Sequence, residues 1–367
     1  MAGDIIKGEE HFFVTTYEGT GGGQKVGKFV PFTDQATLTK SVKIDAGSDE
    51  GLYRDFTTPT NNKKWTFSGW FKLANLGTNR TLISSGLDDG DYSDVRFNTN
   101  NIIYFQNRVG ASNLVLSSTT RTFEDTSKWY HIVLIYDSDQ GTASNRWKVY
   151  VDGDLQAVNN YPGSGDASSF NKASVRHRLS VSGTTQTSEF TPAFEGDFAG
   201  IAQQMFFDGQ AYTPDNFGIT DTSTGRWVPK TLGSLTYGNN GFRLDFANTA
   251  GQTIGDDTSG NTNDFSLYNL TTADLTTDTP TQNFATFDPL DSGNNAGATP
   301  GTAVLAEGNR RITAGSNPSN WDQYRTSKPL KSGKFYVEVT LTSLNTATYF
   351  GVVSRNQNIK GGGWYSD

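Results

Sequence analysis

Between Trp129 and Gly153 the apolar and polar positions follow two patterns in succession. Tyr130 to Tyr136 is a nearly continuous apolar and aromatic run, the length of a strand buried on both faces. Asp137 to Asn145 supplies the Asp, Ser, Gly and Asn of a turn. Trp147, Val149 and Val151 then alternate with Lys148 and Tyr150, and Asp152-Gly153 ends the run with a dipeptide suited to a tight hairpin turn. The segment predicts a β-hairpin at the centre of a sheet. A strand apolar on both faces needs a second sheet to cover it, which predicts a sandwich.

The period-2 signal recurs along the chain. From Leu52 the strand pattern begins, and Lys64 to Leu73 places Trp65, Phe67, Gly69 and Phe71 on one face and Thr66, Ser68, Trp70 and Lys72 on the other. Further strands are predicted at Thr81 to Ser85, Val95 to Phe97, Ile102 to Gln106, Asn113 to Ser117, Val175 to Ser182 and Phe198 to Phe207, each bounded by turn residues. Spacings of roughly 8 to 12 residues are those of a sandwich or barrel. Thr213-Pro214-Asp215 offers an N-cap and a first-position proline for one short helical piece.

Composition agrees with many short strands. The 367 residues include 40 glycines, 13% aromatics and only two methionines, and one all-β sandwich can use about 200 to 250 residues. A net charge of -8 offers no footprint for a phosphate backbone, so neither nucleic acid nor an anionic membrane is an expected partner. There is no cysteine, hence no disulfide framework. The first ten residues lack the layout of a signal peptide, and no apolar run approaches the ~20 residues of a membrane span. The expectation is a soluble protein made in a cytoplasm.

Three motifs carry a resemblance. Thr66-Phe67-Ser68-Gly69-Trp70-Phe71, the run Trp129 to Asp137, and Val149-Tyr150-Val151-Asp152-Gly153, in that order, resemble the laminin-G/pentraxin-like group of concanavalin A-like lectin domains across about residues 40 to 210. The resemblance implies an antiparallel jelly-roll of two sheets whose members commonly bind glycans or protein surfaces. Residues 219 to 285 read as short apolar anchors between Asx and Gly turns, an extended connector. This order of motifs resembles tail-fibre and other virion structural proteins of tailed bacteriophages. Gly333 to Leu341 alternates again and Tyr349 to Ser354 follows; the pair resembles the start of a SPRY-type sandwich, and the chain is expected to continue past Asp367 because too few strands remain to close it.

The expected organisation is all-β: an extended N-terminal arm at 1–39, the concanavalin A-like sandwich at 40–218, a turn-rich connector at 219–302, and a second, incomplete sandwich at 303–367. The three glycines at Gly21 to Gly23 are costly to order, so the arm is placed outside the core, either as a flexible leader or as an anchor that orders on a partner.

Candidate chemistry is sparse. His11, His131 and His177 are scattered, with no zinc-type ligand spacing. Glycosidases need two carboxylates about 5 to 9 Å apart, yet Glu124-Asp125 and Asp152-x-Asp154 fall at strand ends where Asp is common anyway, so no catalytic residue is assigned. Asp88, Asp89, Asp91 and Asp94 form one loop with hard oxygen ligands for calcium, and Asp256, Asp257, Asn261, Asn263 and Asp264 form another; ordinary turns are the favoured reading of both. Trp70, Tyr92, Tyr104, Tyr161 and Trp321 are the candidate platforms for stacking a sugar ring.

The function expected is a phage virion component, a tail fibre or fibre-like appendage. Its arm would dock onto other virion proteins, and its sandwiches would face a host-surface glycan or protein, as a homo-oligomer with a trimer foremost. A decoration or adaptor binding only neighbouring virion subunits, and a glycan-degrading enzyme, are the alternatives.

Overall fold

The structure is a computed structural model, which describes residues 35–45, 49–88, 90–168, 170–181, 197–222, 224–247, 252–294, 303–306, 308–313, 322–327, 337, 339–343 and 350–353. Two antiparallel sheets carry the main body as a jelly-roll sandwich. The first sheet contains β1 (Ser41–Ile44), β3 (Lys64–Leu73), β8 (Tyr130–Asp137), β9 (Trp147–Val151), β10 (Asp154–Gln156) and β12 (Phe198–Asp208). The second contains β2 (Gly51–Asp55), β4 (Arg80–Asp88), β5 (Asp91–Phe97), β6 (Ile103–Val109), β7 (Ser112–Ser118) and β11 (Arg176–Leu179).

The predicted hairpin lies inside the first sheet. Strand β8 pairs β3 from Phe71↔Tyr130 to Lys64↔Asp137, and pairs β9 on its other side. All eight β8 residues are buried. Asp152 and Gly153 adopt φ of 53° and 87°, the left-handed pair that a two-residue hairpin between β9 and β10 requires. Trp65, Phe67 and Phe71 of β3 enter the core between the sheets with Tyr136, Trp147 and Phe105. Trp65 stacks on Tyr136 at 5.5 Å and Phe105 on Trp147 at 4.2 Å, so aromatic rings from both sheets fill the interlayer space.

The boundary expected at 218 does not divide the fold. The stretch read as a connector supplies β15 (Phe242–Leu244) to β12, β16 (Ser266–Tyr268) to β2 and β17 (Leu275–Thr276) to β1. The physical reason is visible in Phe242, Leu244, Phe246 and Phe265, which are buried in the same core. Each anchor is short, and two- or three-residue strands leave little periodicity to detect.

Residues 212–237 cover the outer face of the first sheet. Phe217, Tyr212, Leu232, Leu235 and Tyr237 pack on Val133, Ile135, Met205 and Phe207, which explains why β8 is apolar on both faces. A two-stranded hairpin of β13 (Gly218–Thr220) and β14 (Trp227–Pro229) lays Trp227 against Trp70 and Trp129. The arm expected to reach 39 ends earlier, because Gln35 bridges Lys230 and buried Leu38 joins the Trp70–Trp129 cluster. Residues 1–34 lie outside the described residues.

Pro214–Asn216 forms the expected helical turn with proline in its first turn, but Thr213 makes no side-chain cap bond. Beyond the sandwich, β18 (Phe287–Asn294) pairs β21 (Asp322–Thr326), and β19 (Val304–Ala306) pairs β20 (Arg311–Thr313). Most of the stretch likened to a SPRY-type sandwich lies outside the described residues, and the described part, Val337, 339–343 and 350–353, is exposed without strand assignment.

Candidate functional site

With the first sheet's outer face covered by the chain itself, the outer face of the second sheet is, among the described residues, the one that opens to solvent, at its β5–β7 end. Strand alternation builds it. Val95 and Phe97 of β5 and Phe105 of β6 point into the core, so Tyr92, Asp94 and Arg96 and their partners Tyr104, Gln106 and Arg108 point away from it. Register assembles three rungs across the three strands: Arg96, Tyr104 and Ser118; Asp94, Gln106 and Leu116; Tyr92, Arg108 and Asn113. Burial falls along each rung. Asp94 and Arg96 are buried, Tyr104, Gln106 and Arg108 are half-buried, and Leu116 and Asn113 are exposed.

The side chains hold one another in place. The Arg96 guanidinium lies 4.4 Å from the Tyr104 ring centre and pairs with the Asp94 carboxylate. Gln106 Nε2 donates to Tyr92 Oη at 2.9 Å and to Asn113 Oδ1 at 3.1 Å, and the Arg108 guanidinium sits 5.9 Å from the Tyr92 ring. Burial pushes the Asp94 carboxyl up against the opposing pull of Arg96, and burial likewise raises the Tyr104 phenol. Toward β4 the face closes, where Ser84 Oγ donates to Val181 O from the chain that follows β11.

Of the residues singled out from sequence, Tyr92, Asp94 and Tyr104 come together on this face. Asp88 and Asp91 sit at its rim in the β4–β5 turn, while Asp89 lies outside the described residues. Their carboxylates are turned to the backbone. Asp88 Oδ1 accepts the N–H groups of Gly90 and Asp91, and Asp91 Oδ1 accepts that of Gly110 with Lys172 at 3.6 Å. In the second acidic loop Asp257 accepts from the backbone of Arg243, Ser259 and Asn263. Among the described residues no group of three or more His, Cys, Asp or Glu side chains is placed to hold a metal ion. Tyr161 is half-buried against the main core, and Trp321 lies outside the described residues. Trp70 is buried on the other sheet, stacked on His131 at 4.6 Å.

Arg96, Gln106, Arg108 and Asn113 are residues of this face that sequence reasoning missed. Gln106 and Arg108 stand two and four positions after Tyr104, so alternation within one strand signals them; Asn113 joins only through the β6–β7 register.

Both described histidines are structural. His131 Nε2 is 2.9 Å from Ser68 Oγ, a spacing a nucleophile–base pair would share. However, the Trp227 indole N–H, which can only donate, points at His131 Nδ1 at 2.9 Å. The ring proton is therefore on Nε2, the ring donates to Ser68, and it cannot accept the serine proton. Glu124 and Asp152, weighed above as carboxylates, are met by Asn101 and by Lys128 with the His131 backbone N–H respectively.

The β5–β7 face thus gathers two phenol rings, an amide pair, guanidinium groups and a carboxylate within one patch. Comparison with known proteins agrees with the fold. Residues 45–199 match the family described as the concanavalin A-like lectin/glucanases superfamily. No curated protein matches the chain. Among solved structures, a heptameric SAP-like pentraxin from Limulus polyphemus is 16% identical with a TM-score of 0.36, over 48% of this chain and 80% of its own. A putative carbohydrate-binding protein from Bacteroides ovatus is 15% identical with a TM-score of 0.40, over 63% of this chain and 60% of its own. Domains LG4-5 of the mouse laminin alpha1 chain are 12% identical with a TM-score of 0.33, over 48% of this chain and 46% of their own.

Proposed function

We propose that the sandwich is a glycan-binding module that recognises sugar through the outer face of β5–β7, without breaking bonds. The observation that carries this reading is the contrast between the two outer faces: the apolar one is covered by the chain's own residues 212–237, and the open one presents Tyr104, Gln106, Arg108 and Asn113. Half-buried side chains braced by neighbours are already ordered, so a ligand does not have to immobilise them. The test is an array of bacterial surface polysaccharides probed with the full chain and with Tyr104→Ala and Gln106→Ala. Wild-type binding lost in both variants, with unchanged thermal unfolding, is the expected result; binding retained in both removes this face from the reading.

The wider assignment, a virion appendage of a tailed phage that displays this face to the host, rests on the order of motifs beyond the sandwich. In it the chain forms a homo-oligomer, a trimer foremost, and residues 1–34 attach to other virion proteins. Particles assembled with a chain lacking residues 1–34 should lose this protein while the truncated chain stays folded. Retention in the particle would refute the anchoring role.

A further inference from the structure

Lys72 is the last polar residue on the outer face of β3, and it is fully buried, as is Asp278. Its ammonium nitrogen has three oxygen neighbours, all from one short segment that crosses over the sheet: Asp278 Oδ2 at 2.8 Å, Asn283 Oδ1 at 2.9 Å and Phe284 O at 2.8 Å. Around this group the segment is tightly held. Asp278 Oδ1 accepts from the Trp129 indole at 3.2 Å and from the Phe284 N–H at 3.0 Å, and Asn283 Nδ2 donates to Ser127 O at 2.9 Å. A primary amine, a carboxamide and a carboxyl group thus share a site from which water is excluded around the amine and the acid.

We propose that Lys72 and Asn283 form an intramolecular amide cross-link, with Asp278 carrying the protons. Lys72 gives a proton to Asp278, and the free amine attacks Asn283 Cγ, one bond beyond the oxygen that Nζ now contacts. The Nζ–Cγ bond forms, a second Nζ proton is carried by Asp278 to the carboxamide nitrogen, and the Cγ–Nδ2 bond breaks. Ammonia leaves from the side held by Ser127 O and takes up the remaining proton as ammonium, so Asp278 ends as a carboxylate. Burial lowers the Lys72 pKa against the raising effect of Asp278, which favours the unprotonated amine that the attack needs. The cross-link joins β3 to the segment after β17 and fixes that segment on the first sheet. It is independent of the glycan reading.

The test is the intact mass of the full-length chain, purified and denatured, followed by protease digestion. The expected result is a wild-type mass short by one ammonia and one branched peptide joining the sequences around Lys72 and Asn283. Asn283→Ala, which leaves the Lys72–Asp278 pair in place, should have its full calculated mass and no branched peptide; Lys72→Met should behave alike. A wild-type chain of full mass overturns the proposal. So does an ammonia loss with the two peptides separate, as succinimide formation at Asn240-Gly241 would give, or a branched peptide that persists in Asn283→Ala.

Discussion

Acid should destabilise this fold in a way that its two buried histidines determine. His131 accepts the Trp227 indole N–H, and His177 Nε2 accepts the Asn171 backbone N–H at 2.8 Å while Nδ1 donates to Val175 O at 3.0 Å. Protonating either ring puts a hydrogen where a donor already points. Burial lowers both from the ordinary 6.5 to about 3. Below 6.5 the unfolded chain takes up protons that the folded chain refuses, so stability is complete above that pH and falls from there down to about pH 3.

Each refused proton costs about 1.4 kcal/mol per pH unit, so the pair costs about 4 kcal/mol between pH 6.5 and 5. Glu50 works the other way. Burial raises it to about 7, so the folded state binds its proton earlier than the unfolded chain and recovers part of the loss between 7 and 4.5. Its partial contact with solvent discounts that recovery, leaving a net loss of about 2 to 4 kcal/mol. Urea unfolding at half-unit steps from pH 7.5 to 4.5 measures it. His131→Gln and His177→Gln should each flatten the slope by about one proton, whatever they do to stability at pH 7.5. A wild-type profile flat over this range, or variants with the wild-type slope, would refute the assignment of these rings as buried neutral groups.

Other expectations are more local. Removing residues 1–34 should leave the melting temperature unchanged, whereas Leu38→Ala should cost about 2 kcal/mol in denaturant unfolding, since it empties part of the cluster with Trp70 and Trp129. Phe105→Ala should cost about 3 to 5 kcal/mol, because the ring bridges Trp147 and Tyr136 at the sandwich centre. Gly153→Ala should cost about 1 to 3 kcal/mol and shift tryptophan fluorescence: the residue has φ of 87°, and a Cβ there would stand 2.8 Å from Trp227. Chelation of divalent cations should leave thermal unfolding unmoved, since the loop carboxylates at Asp88, Asp91 and Asp257 already accept from backbone donors.

The hairpin from Trp129 to Gly153 was legible because both its signals are local: a both-faces apolar run and an Asp-Gly turn. Nearly all of the long strands followed from the same alternation. The short strands β15, β16 and β17 were not legible, because two or three residues carry no period and their placement depends on where Phe242, Leu267 and Leu275 find a partner sheet. Leu38 was lost for the same reason, being a lone apolar residue after a glycine-rich stretch. Asp88 to Asp94 read as a loop, with the strand opening only at Val95, so Tyr92 and Asp94 were not legible as one face of β5, and the three-rung face further needed the β5–β6 and β6–β7 registers, which sequence does not state. Trp70 shows the converse limit. It alternates outward from the core as an exposed platform would, and Leu38, Trp129 and Trp227, brought over it from distant parts of the chain, put it inside.

The most direct test is hydrogen–deuterium exchange of the full chain with and without a polysaccharide that it binds. Protection confined to β5–β7, residues 91–118, is the result expected if this face holds the sugar. Protection elsewhere on the sandwich, with 91–118 unchanged, would contradict it.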